Sequence, residues 1–473
     1  RHPERCMFFS SKKLLLLLWM VASSLLSSCG GSSDSSTAYS RVRLHLRWSV
    51  AQYAELRHMS QVEAHFASLL KFQEFVVIVW ENRVFVSRRF MLQTKQRKHA
   101  MMLVSAALYT RLPNVAYLFD RDSTGEELQN ALNLAKVNLP VAVISKKHGH
   151  AQRGVLVPNP FFAEGNLTRW GNLVRSLSKR ADERPWHLRD SRLFWRGNIG
   201  HHDENCSRDT GNFDRLSAMS LTAENPTVFD VRCAKRVPAS YKHDFSEIVA
   251  NITLLPLRCH PRDDITHPCK SYSYDESMQT LASQNCSSIQ DTKWIDPGDY
   301  TKYKHVLNLA GTTAGGYSRN LNHLWALGAV VVLWASDVVE WYYPGLTENR
   351  THLSLDKRNA SAALKTLNNA ALLTANARLV NDELLCPRCL ATYMRDFALA
   401  IRGRFGHRHV LDDHTKATDL FTRHCEIHDL VELAADPTDE KNLLQLPLLL
   451  PLPLVRCLLR SSAASRTATT NDE

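Results

Sequence analysis

The stretch HVLNLAGTTAGGYSRNLNHLWALGAVVVLW, residues His305–Trp334, sets a glycine-rich loop between two apolar runs. The runs HVLNLAG and AVVVLW are typical of buried strands, and SRNLNHLWAL between them has helical spacing. This order of strand, loop, helix and strand predicts one unit of an α/β fold with a parallel sheet. The loop is then a strand-to-helix connection, which is a place where such folds bind phosphate groups.

The loop contains Gly311, Gly315 and Gly316, and Ser318 and Arg319 open the helix that follows. Glycines let a backbone approach a phosphate, free N–H groups at a helix start attract it, and arginine can bind it through two nitrogens. The loop is therefore suited to a diphosphate. Taken alone, an ordinary turn with a serine cap is the favoured interpretation. The sequence matches neither a P-loop nor the GxGxxG pattern of dinucleotide folds.

The same alternation of apolar strands and helical patterns continues along the chain. Residues 61–190 contain the hairpin pattern VVIVWENRVFV, the helical pattern KQRKHAMMLVSAALYTRL and the strand patterns VAYLF and LPVAVIS. Residues 191–400 repeat the alternation around a cysteine-rich stretch. We predict two consecutive α/β domains that face a cleft.

The two ends of the chain differ from these blocks. Residues 1–29 have two lysines ahead of an apolar run, the layout of a secretory signal peptide, with a short signal anchor as the alternative. Residues 30–60 begin with a polar, serine-rich stretch and are predicted to be a flexible stem. Residues 401–473 are predicted to be a partly disordered extension whose proline-containing apolar run is not a membrane span.

The net charge and the cysteine content limit the kinds of binding partner and the cellular compartment that the sequence predicts. The net charge of +11 favours an anionic partner, but the basic residues are spread along the chain, so a phosphate ester fits better than a nucleic acid. A basic surface that only keeps the protein soluble fits about as well. Behind an export signal, the cysteines predict disulfide bonds. Asn-x-Ser/Thr sequons weakly support a glycoprotein of the secretory pathway.

Charged residues follow two other predicted strands. Arg196 and Gly197 end the run SRLFWRG, where an arginine points either into a ligand crevice or onto the surface. Asp120 and Asp122 follow VAYLF, and three interpretations compete: the pair binds a metal, a single Asp is a general base, or Asp122 with Ser123 caps the helix that starts near Gly125. Without further context, capping is the first choice.

Cysteine and histidine spacing suggests a zinc site as a second possibility. CPRC at residues 386–389 and CEIH at residues 425–428 could supply four tetrahedral ligands. Disulfide bonding ranks above zinc because of the export signal. The sequence has no Gly-x-Ser-x-Gly elbow and no His-Glu-x-x-His helix, so hydrolase and protease functions lose their usual support.

Taken in order, three segments resemble glycosyltransferase family 90, which includes capsule-associated xylosyltransferases and protein O-glucosyltransferases. They are LPNVAYLFDRDS, RPWHLRDSRLFWRGNIG and YKHVLNLAGTTAGGYSRNLNHLWALGAVVVLWASDVVEWYYPGLTENRTHLSLD. The resemblance covers about residues 76–400. It implies a GT-B architecture, with two Rossmann-like domains, and inverting transfer of glucose or xylose from a UDP-sugar to a hydroxyl of a protein or glycan acceptor.

The resemblance also assigns roles to residues. Asp122 matches the catalytic base, with Asp120 as the alternative, and Arg196 and Arg319 match the arginines that neutralise the diphosphate. Gly197, Ser318 and the loop Gly311–Gly316 match the nucleotide-sugar site, and Glu340 is expected near the ribose. No metal or other cofactor is expected, and no nucleic acid partner. The expected location is the lumen of the endoplasmic reticulum or Golgi, or outside the cell, with membrane contact only through an N-terminal anchor.

Two departures from the family pattern bear on these roles. Ser123 and Thr124 follow Asp122 where the family usually has a residue and proline, and Ala310 stands where an acidic residue often precedes the first glycine. A family relative that has lost catalysis and binds sugars or glycoproteins is therefore the alternative function.

Overall fold

The computed structural model of the protein describes residues 34–72, 74–120, 124–147, 154–197, 211–234, 290–291, 295–311, 321–336, 338–356, 359–360, 364, 370–423 and 430–433. The predicted leader, most of the cysteine-rich stretch from Cys206 to Cys286, and the apolar run near the end of the chain lie outside these residues. Within the described part, no helix combines the length and apolar character needed to cross a membrane.

The described strands form two main sheets, so the predicted α/β class is confirmed. The first has the order β14-β2-β1-β3-β4-β6. Its strands are β1 (Val76–Trp80), β2 (Arg83–Ser87), β3 (Val115–Phe119), β4 (Val141–Val143), β6 (Val155–Leu156) and β14 (Leu430–Leu433). β3, β4 and β6 run parallel, whereas β14, β2, β1 and β3 pair antiparallel.

The predicted hairpin is confirmed in the first sheet. β1 and β2 pair from Val77 opposite Val86 to Trp80 opposite Arg83, which leaves Glu81 and Asn82 as the turn. Both turn residues have positive φ, 53° and 64°, as a type I′ turn requires. Asparagine adopts this conformation readily, which suits it to the second turn position.

The second sheet is parallel throughout, in the order β13-β11-β10-β7-β8-β9. Its strands are β7 (Asp190–Gly197), β8 (Phe229–Ala234), β9 (Gln290–Asp291), β10 (Tyr303–Asn308), β11 (Val330–Trp334) and β13 (Leu353–Leu355). All five residues of β11 are buried, as expected of a central strand covered on both faces. β10 and β11 are the two strands predicted from the opening stretch, and their parallel pairing is confirmed.

Helices cover the sheets. In chain order they are α1 (Asp34–Ala51), α2 (Met59–Leu69), α3 (Arg88–Leu92), α4 (Thr94–Ala107), α5 (Glu126–Leu134), α6 (Leu167–Asp182), α7 (Gly211–Glu224), α8 (Leu321–Leu324), α9 (Ala370–Val380), α10 (Pro387–Arg404), α11 (Arg408–Leu411) and α12 (His414–Arg423). In α10, Leu390, Met394, Phe397 and Ile401 are all buried, at the spacing of one helix face. Short 3₁₀ and π turns lie between helices at residues 163–165, 186–188, 297–302, 343–345 and 381–385.

A third, two-stranded ribbon joins the two blocks. β5 (Ser145–Lys147) pairs antiparallel with β12 (Val338–Glu340), which places Ser145 opposite Glu340. The apolar core is also continuous, because Phe194 and Val306 of the second sheet belong to the same buried cluster as Val77 of the first. The opposite face of the second sheet has its own smaller cluster, which contains Trp195.

The prediction of a flexible stem at residues 30–60 is wrong for its described part. α1 forms there, and Val42, Leu46 and Val50 are buried at helical spacing against α10 and the turn at residues 343–345. Arg41 of the same helix donates hydrogen bonds to the carbonyl oxygens of Pro344 and Gly345. The basic residues between the apolar ones hide this stripe in the sequence.

The boundary predicted at residue 400 is also misplaced. α10 crosses it without interruption and packs against α4 and β3. Beyond it, β14 adds an antiparallel strand to the edge of the first sheet, and Trp80 Nε1 donates to the carbonyl oxygen of Leu411 at 3.0 Å. The described residues after 400 therefore belong to the first block.

The predicted disulfide bonding is confirmed for one pair. Cys386 and Cys389 are joined by a disulfide at the start of α10. Their thiolates are therefore not free to bind zinc, and Cys425 and His428 lie outside the described residues.

Candidate functional site

The predicted nucleotide-sugar residues that the structure describes lie mainly at the carboxyl edge of the second sheet. Arg196 and Gly197 end β7, and Gly311 lies three residues beyond the end of β10. β7 and β10 are parallel neighbours, so their carboxyl ends share one edge of the sheet. In parallel sheets this edge is where ligands bind.

Arg196 is held in place by neighbouring strands. Its Nη2 donates to Asp230 Oδ1 at 2.8 Å, and its Nη1 donates to the Asp230 carbonyl oxygen at 2.6 Å. The guanidinium also lies over the Phe194 ring, 4.5 Å from its centroid. The side chain is only 6% exposed. Among the described residues, this arginine is therefore enclosed by partners in the sheet.

Asp230 is the centre of a charged cluster. Besides Arg196, its carboxylate lies 2.9 Å from Arg232 Nε and 3.6 Å from Arg192 Nη2, and it accepts a hydrogen bond from the Tyr303 hydroxyl at 3.2 Å. Burial, together with the nearby Asp230 charge, raises the pKa of Tyr303 to about 12. Tyr303 therefore stays protonated and acts as a hydrogen-bond donor.

Packing explains the glycine at position 197. A Cβ there would lie 2.4 Å from Cζ2 of the Trp195 ring, closer than side-chain atoms approach each other. On the same face of the sheet, the Arg215 guanidinium of α7 lies 5.6 Å from the Trp195 ring centroid, and its Nε donates to the Ala310 carbonyl oxygen at 3.0 Å. This hydrogen bond connects α7 to the residues that follow β10.

Glu340 lies in a buried amide network. Asn159 Nδ2 donates to Glu340 Oε2 at 2.9 Å and to Asn322 Oδ1 at 2.9 Å, and Asn322 Nδ2 donates back to Asn159 Oδ1 at 3.0 Å. Burial raises the pKa of Glu340 to about 7, although the hydrogen bond from Asn159 opposes this rise. Glu340 Oε1 has no hydrogen-bond partner within the described part of the chain. Its partners join the two blocks, since Asn159 belongs to the first.

Asp120, the alternative base, lies at the end of β3 in the first sheet and is buried. Its Oδ2 accepts a hydrogen bond from the backbone N–H of Leu128 at 3.3 Å, in the first turn of α5. A carboxylate in this position satisfies a free N–H group and is favoured by the helix dipole. The cap predicted from Asp122 and Ser123 lies outside the described residues, and the described contact with this helix is made by Asp120.

The remaining predicted site residues lie outside the described residues. These are Asp122, Gly315, Gly316, Ser318 and Arg319. Among the residues that are described, no group of three or more histidine, cysteine, aspartate or glutamate side chains could hold a metal ion.

No protein-family model and no curated protein matches this sequence. The chemistry of the site is given by its own residues. They offer arginines and a glycine-ended strand at the edge of a parallel sheet, which is chemistry suited to a phosphate ester.

Sequence reasoning missed Asp230 and Arg232. Both lie in VFDVRCA, where polar residues alternate with apolar ones. Such alternation places Asp230 and Arg232 on one face of the strand, and two charges on one face of a core strand require partners there. This alternation could have identified Asp230 and Arg232 from the sequence. Asn159 and Asn322 gave none, because isolated asparagines are common in loops and at helix ends.

Proposed function

We propose that the protein is an inverting glycosyltransferase that moves glucose or xylose from a UDP-sugar to a hydroxyl of a protein or glycan acceptor in the secretory pathway. The observation that carries this proposal is the meeting of Arg196 and the start of the Gly311 loop on neighbouring parallel strands. The ordered resemblance to glycosyltransferase family 90 adds the donor class, and a GT-B arrangement of the two α/β blocks is part of the proposal.

In the proposed reaction, one face of the sugar requires a base and the opposite face requires positive charge. Asp122 takes the proton from the acceptor hydroxyl as its oxygen attacks the anomeric carbon, and the bond to the UDP oxygen breaks. The leaving diphosphate gains negative charge, which Arg319 offsets by contact and Arg196 offsets from its buried position beside Asp230. The loop Gly311–Gly316 and Ser318 hold the diphosphate. No metal is required because arginines supply the positive charge.

The alternative is a relative without catalysis that binds a sugar nucleotide or glycoprotein. One observation favours it: Asp120, the second candidate base, is buried and contacts the first turn of α5, so it is not exposed to an acceptor hydroxyl. Catalysis then depends on Asp122 alone.

The test is release of UDP by the full chain from UDP-glucose, UDP-xylose and UDP-galactose. We expect hydrolysis of one preferred donor, and we expect Asp122→Asn to lower its rate by about 10² to 10⁴, the usual contribution of a general base, while UDP affinity is unchanged. Asp120→Asn serves as the matched control and should lower stability more than turnover.

Full activity in Asp122→Asn would remove that residue from the mechanism. Absence of turnover in the wild type, with UDP still bound, would favour the binding protein. If UDP does not change the melting temperature, the hypothesis of a UDP-sugar donor is rejected. Loss of activity in a chelator would show a metal-dependent reaction instead.

A further inference from the structure

The disulfide between Cys386 and Cys389 lies at the start of α10 and takes no part in the proposed glycosyl transfer. We propose that this pair is a redox-active site that exchanges thiols and disulfides with other proteins, with Cys386 as the attacking cysteine and Cys389 as the resolving one. The inference goes beyond the proposed function and does not depend on it.

The spacing of the two cysteines favours chemistry over stabilisation. They are three residues apart, in the pattern Cys-Pro-Arg-Cys. In the chain-entropy account, a disulfide stabilises a fold by restricting the unfolded chain, and the effect grows with the length of the loop that it closes. A loop with only two residues between the cysteines gives little of this stabilisation. Cys-x-x-Cys is instead a pattern in which thiols are activated for exchange.

The start of the helix distinguishes Cys386 from Cys389. Cys386 is the N-cap of α10, which is 18 residues long, and its Sγ accepts a hydrogen bond from the backbone N–H of Cys389 at 3.0 Å. This N–H group and the positive end of the helix dipole favour a negative charge on that sulfur. Because a thiolate, and not a thiol, attacks a disulfide, Cys386 is the attacking residue once the pair is reduced.

The surroundings of the motif suit the reduced pair as well as the disulfide. Cys389 Sγ lies 3.3 Å from the carbonyl oxygen of Asp382, to which a thiol S–H can donate. Pro387 packs on α6 so closely that a Cβ at Gly171 would lie 2.9 Å from its Cγ. Both cysteines are partly exposed. The motif is therefore fixed in position and open to a partner.

A groove beside the motif offers a place for the partner to bind. It has a volume of about 640 Å³ and is lined by α6, through residues that include Val174 and Ser178, and by Asn381 and Asp382 of the π turn. Asn381 is 4% exposed, yet its Oδ1 has no hydrogen-bond partner among the described residues. A buried acceptor without a donor is costly, and a backbone N–H of an extended partner segment would satisfy it.

In the proposed exchange, the Cys386 thiolate attacks one sulfur of a partner's disulfide, and the other partner sulfur leaves as a thiolate that takes up a proton. Cys389 then gives up its proton and attacks Cys386 Sγ, which releases the second partner sulfur as a thiol. Two electrons pass to the partner, whose disulfide becomes two thiols, and the pair returns to the disulfide. A dithiol reductant restores the reduced pair by the same steps in reverse.

The first experiment measures this activity in the full chain, with insulin as the protein disulfide and dithiothreitol as the dithiol. We expect the wild type to accelerate insulin reduction at least about tenfold over dithiothreitol alone, because an activated thiolate attacks faster than an ordinary thiol. Cys386→Ser should abolish the acceleration. No acceleration by the wild type, or full acceleration by Cys386→Ser, would overturn the inference.

The second experiment compares Cys386→Ser with Cys389→Ser, which are matched because both break the same disulfide. We expect Cys386 in Cys389→Ser to form a mixed disulfide with glutathione disulfide at least about tenfold faster than Cys389 does in Cys386→Ser. Trypsin cleaves after Arg378, Arg388 and Arg395, so mass spectrometry finds each cysteine in its own peptide. Equal rates, or a faster reaction at Cys389, would contradict the assigned roles.

The third experiment separates a redox-active pair from a structural one. In glutathione buffers of increasing reducing strength, we expect the pair in the wild type to change from disulfide to dithiol while circular dichroism shows that the protein stays folded. Structural disulfides resist glutathione. If the pair is reduced only when the protein unfolds, it is structural and the inference is wrong.

The groove has its own test. Asn381→Leu removes the unsatisfied acceptor and should raise the KM for insulin at least about threefold, the effect of losing one hydrogen bond to the partner. Circular dichroism verifies that the variant is folded. An unchanged KM would mean that the partner does not bind in this groove.

Discussion

Gly197 connects the packing of a single residue to the edge of the sheet where a ligand is proposed to bind. Because a Cβ at this position would overlap the Trp195 ring, Gly197→Ala should lower the free energy of unfolding by about 1 to 3 kcal/mol. The matched control is Gly403→Ala on α10, where a Cβ would meet nothing within 4 Å. The control should raise stability by about 0.5 to 1 kcal/mol, since alanine favours a helix. Urea denaturation measures both, and equal effects would contradict the packing argument.

Part of the candidate site could be predicted at the level of residues. The positions of Arg196 and Gly311 after two strands followed from apolar runs, and the structure places both at one sheet edge. Their partners could not be predicted, because Asp230 comes from a strand more than thirty residues away in sequence. Pairing between strands is set by the packing of the whole sheet, which local sequence does not reveal.

The helix α1 shows what an amphipathic element contributes when its apolar stripe is narrow. Leu46 is 3% exposed, whereas Leu44, two residues earlier on the same helix, is 52% exposed. Leu46→Ala should therefore lower the free energy of unfolding by about 2 to 5 kcal/mol. Leu44→Ala should change it by less than about 0.5 kcal/mol. Chemical denaturation measures the free energy of unfolding of both variants. Equal small changes would mean that α1 does not pack against the rest of the protein.

Strands that consist of apolar residues throughout could be predicted from the sequence, whereas short strands that mix apolar and charged residues could not. β1, β3 and β11 are each five buried residues, which made them visible as core strands. β5 and β12 have three residues each and include Lys146 and Glu340, so they are too short and too mixed in composition to be recognised as strands from sequence. They form because they pair with each other across the two blocks.

The whole molecule buries several histidines in its core. Burial lowers the pKa of His65 and His99 to about 3 and that of His323 and His352 to about 4. The folded protein therefore keeps these rings neutral at pH values where an unfolded chain, with histidine pKa near 6.5, is protonated. Because the unfolded state then binds more protons, stability falls as the pH drops below 6.5. Glu340 acts in the opposite direction between about pH 4.5 and 7, because burial raises its pKa from 4.5 to about 7 and the folded state then binds the extra proton.

We therefore expect the free energy of unfolding to level off above about pH 7 and to fall steeply from there towards pH 4, because the buried histidines outnumber Glu340. Each buried histidine contributes up to about 1.4 kcal/mol per pH unit in this range.

The variant His99→Gln tests one of these histidines, because its amide can still contact the Tyr117 hydroxyl. In this variant, the free energy of unfolding should fall less steeply with decreasing pH, by up to that amount per pH unit. His409→Gln is the control, because His409 is exposed beside the buried His407, and it should leave the slope unchanged. Urea denaturation at pH 7, 6 and 5 gives the slopes. A wild-type stability that stays flat over this range would mean that the histidines are not buried as neutral groups, and with them the continuous core that joins the two sheets would be in question.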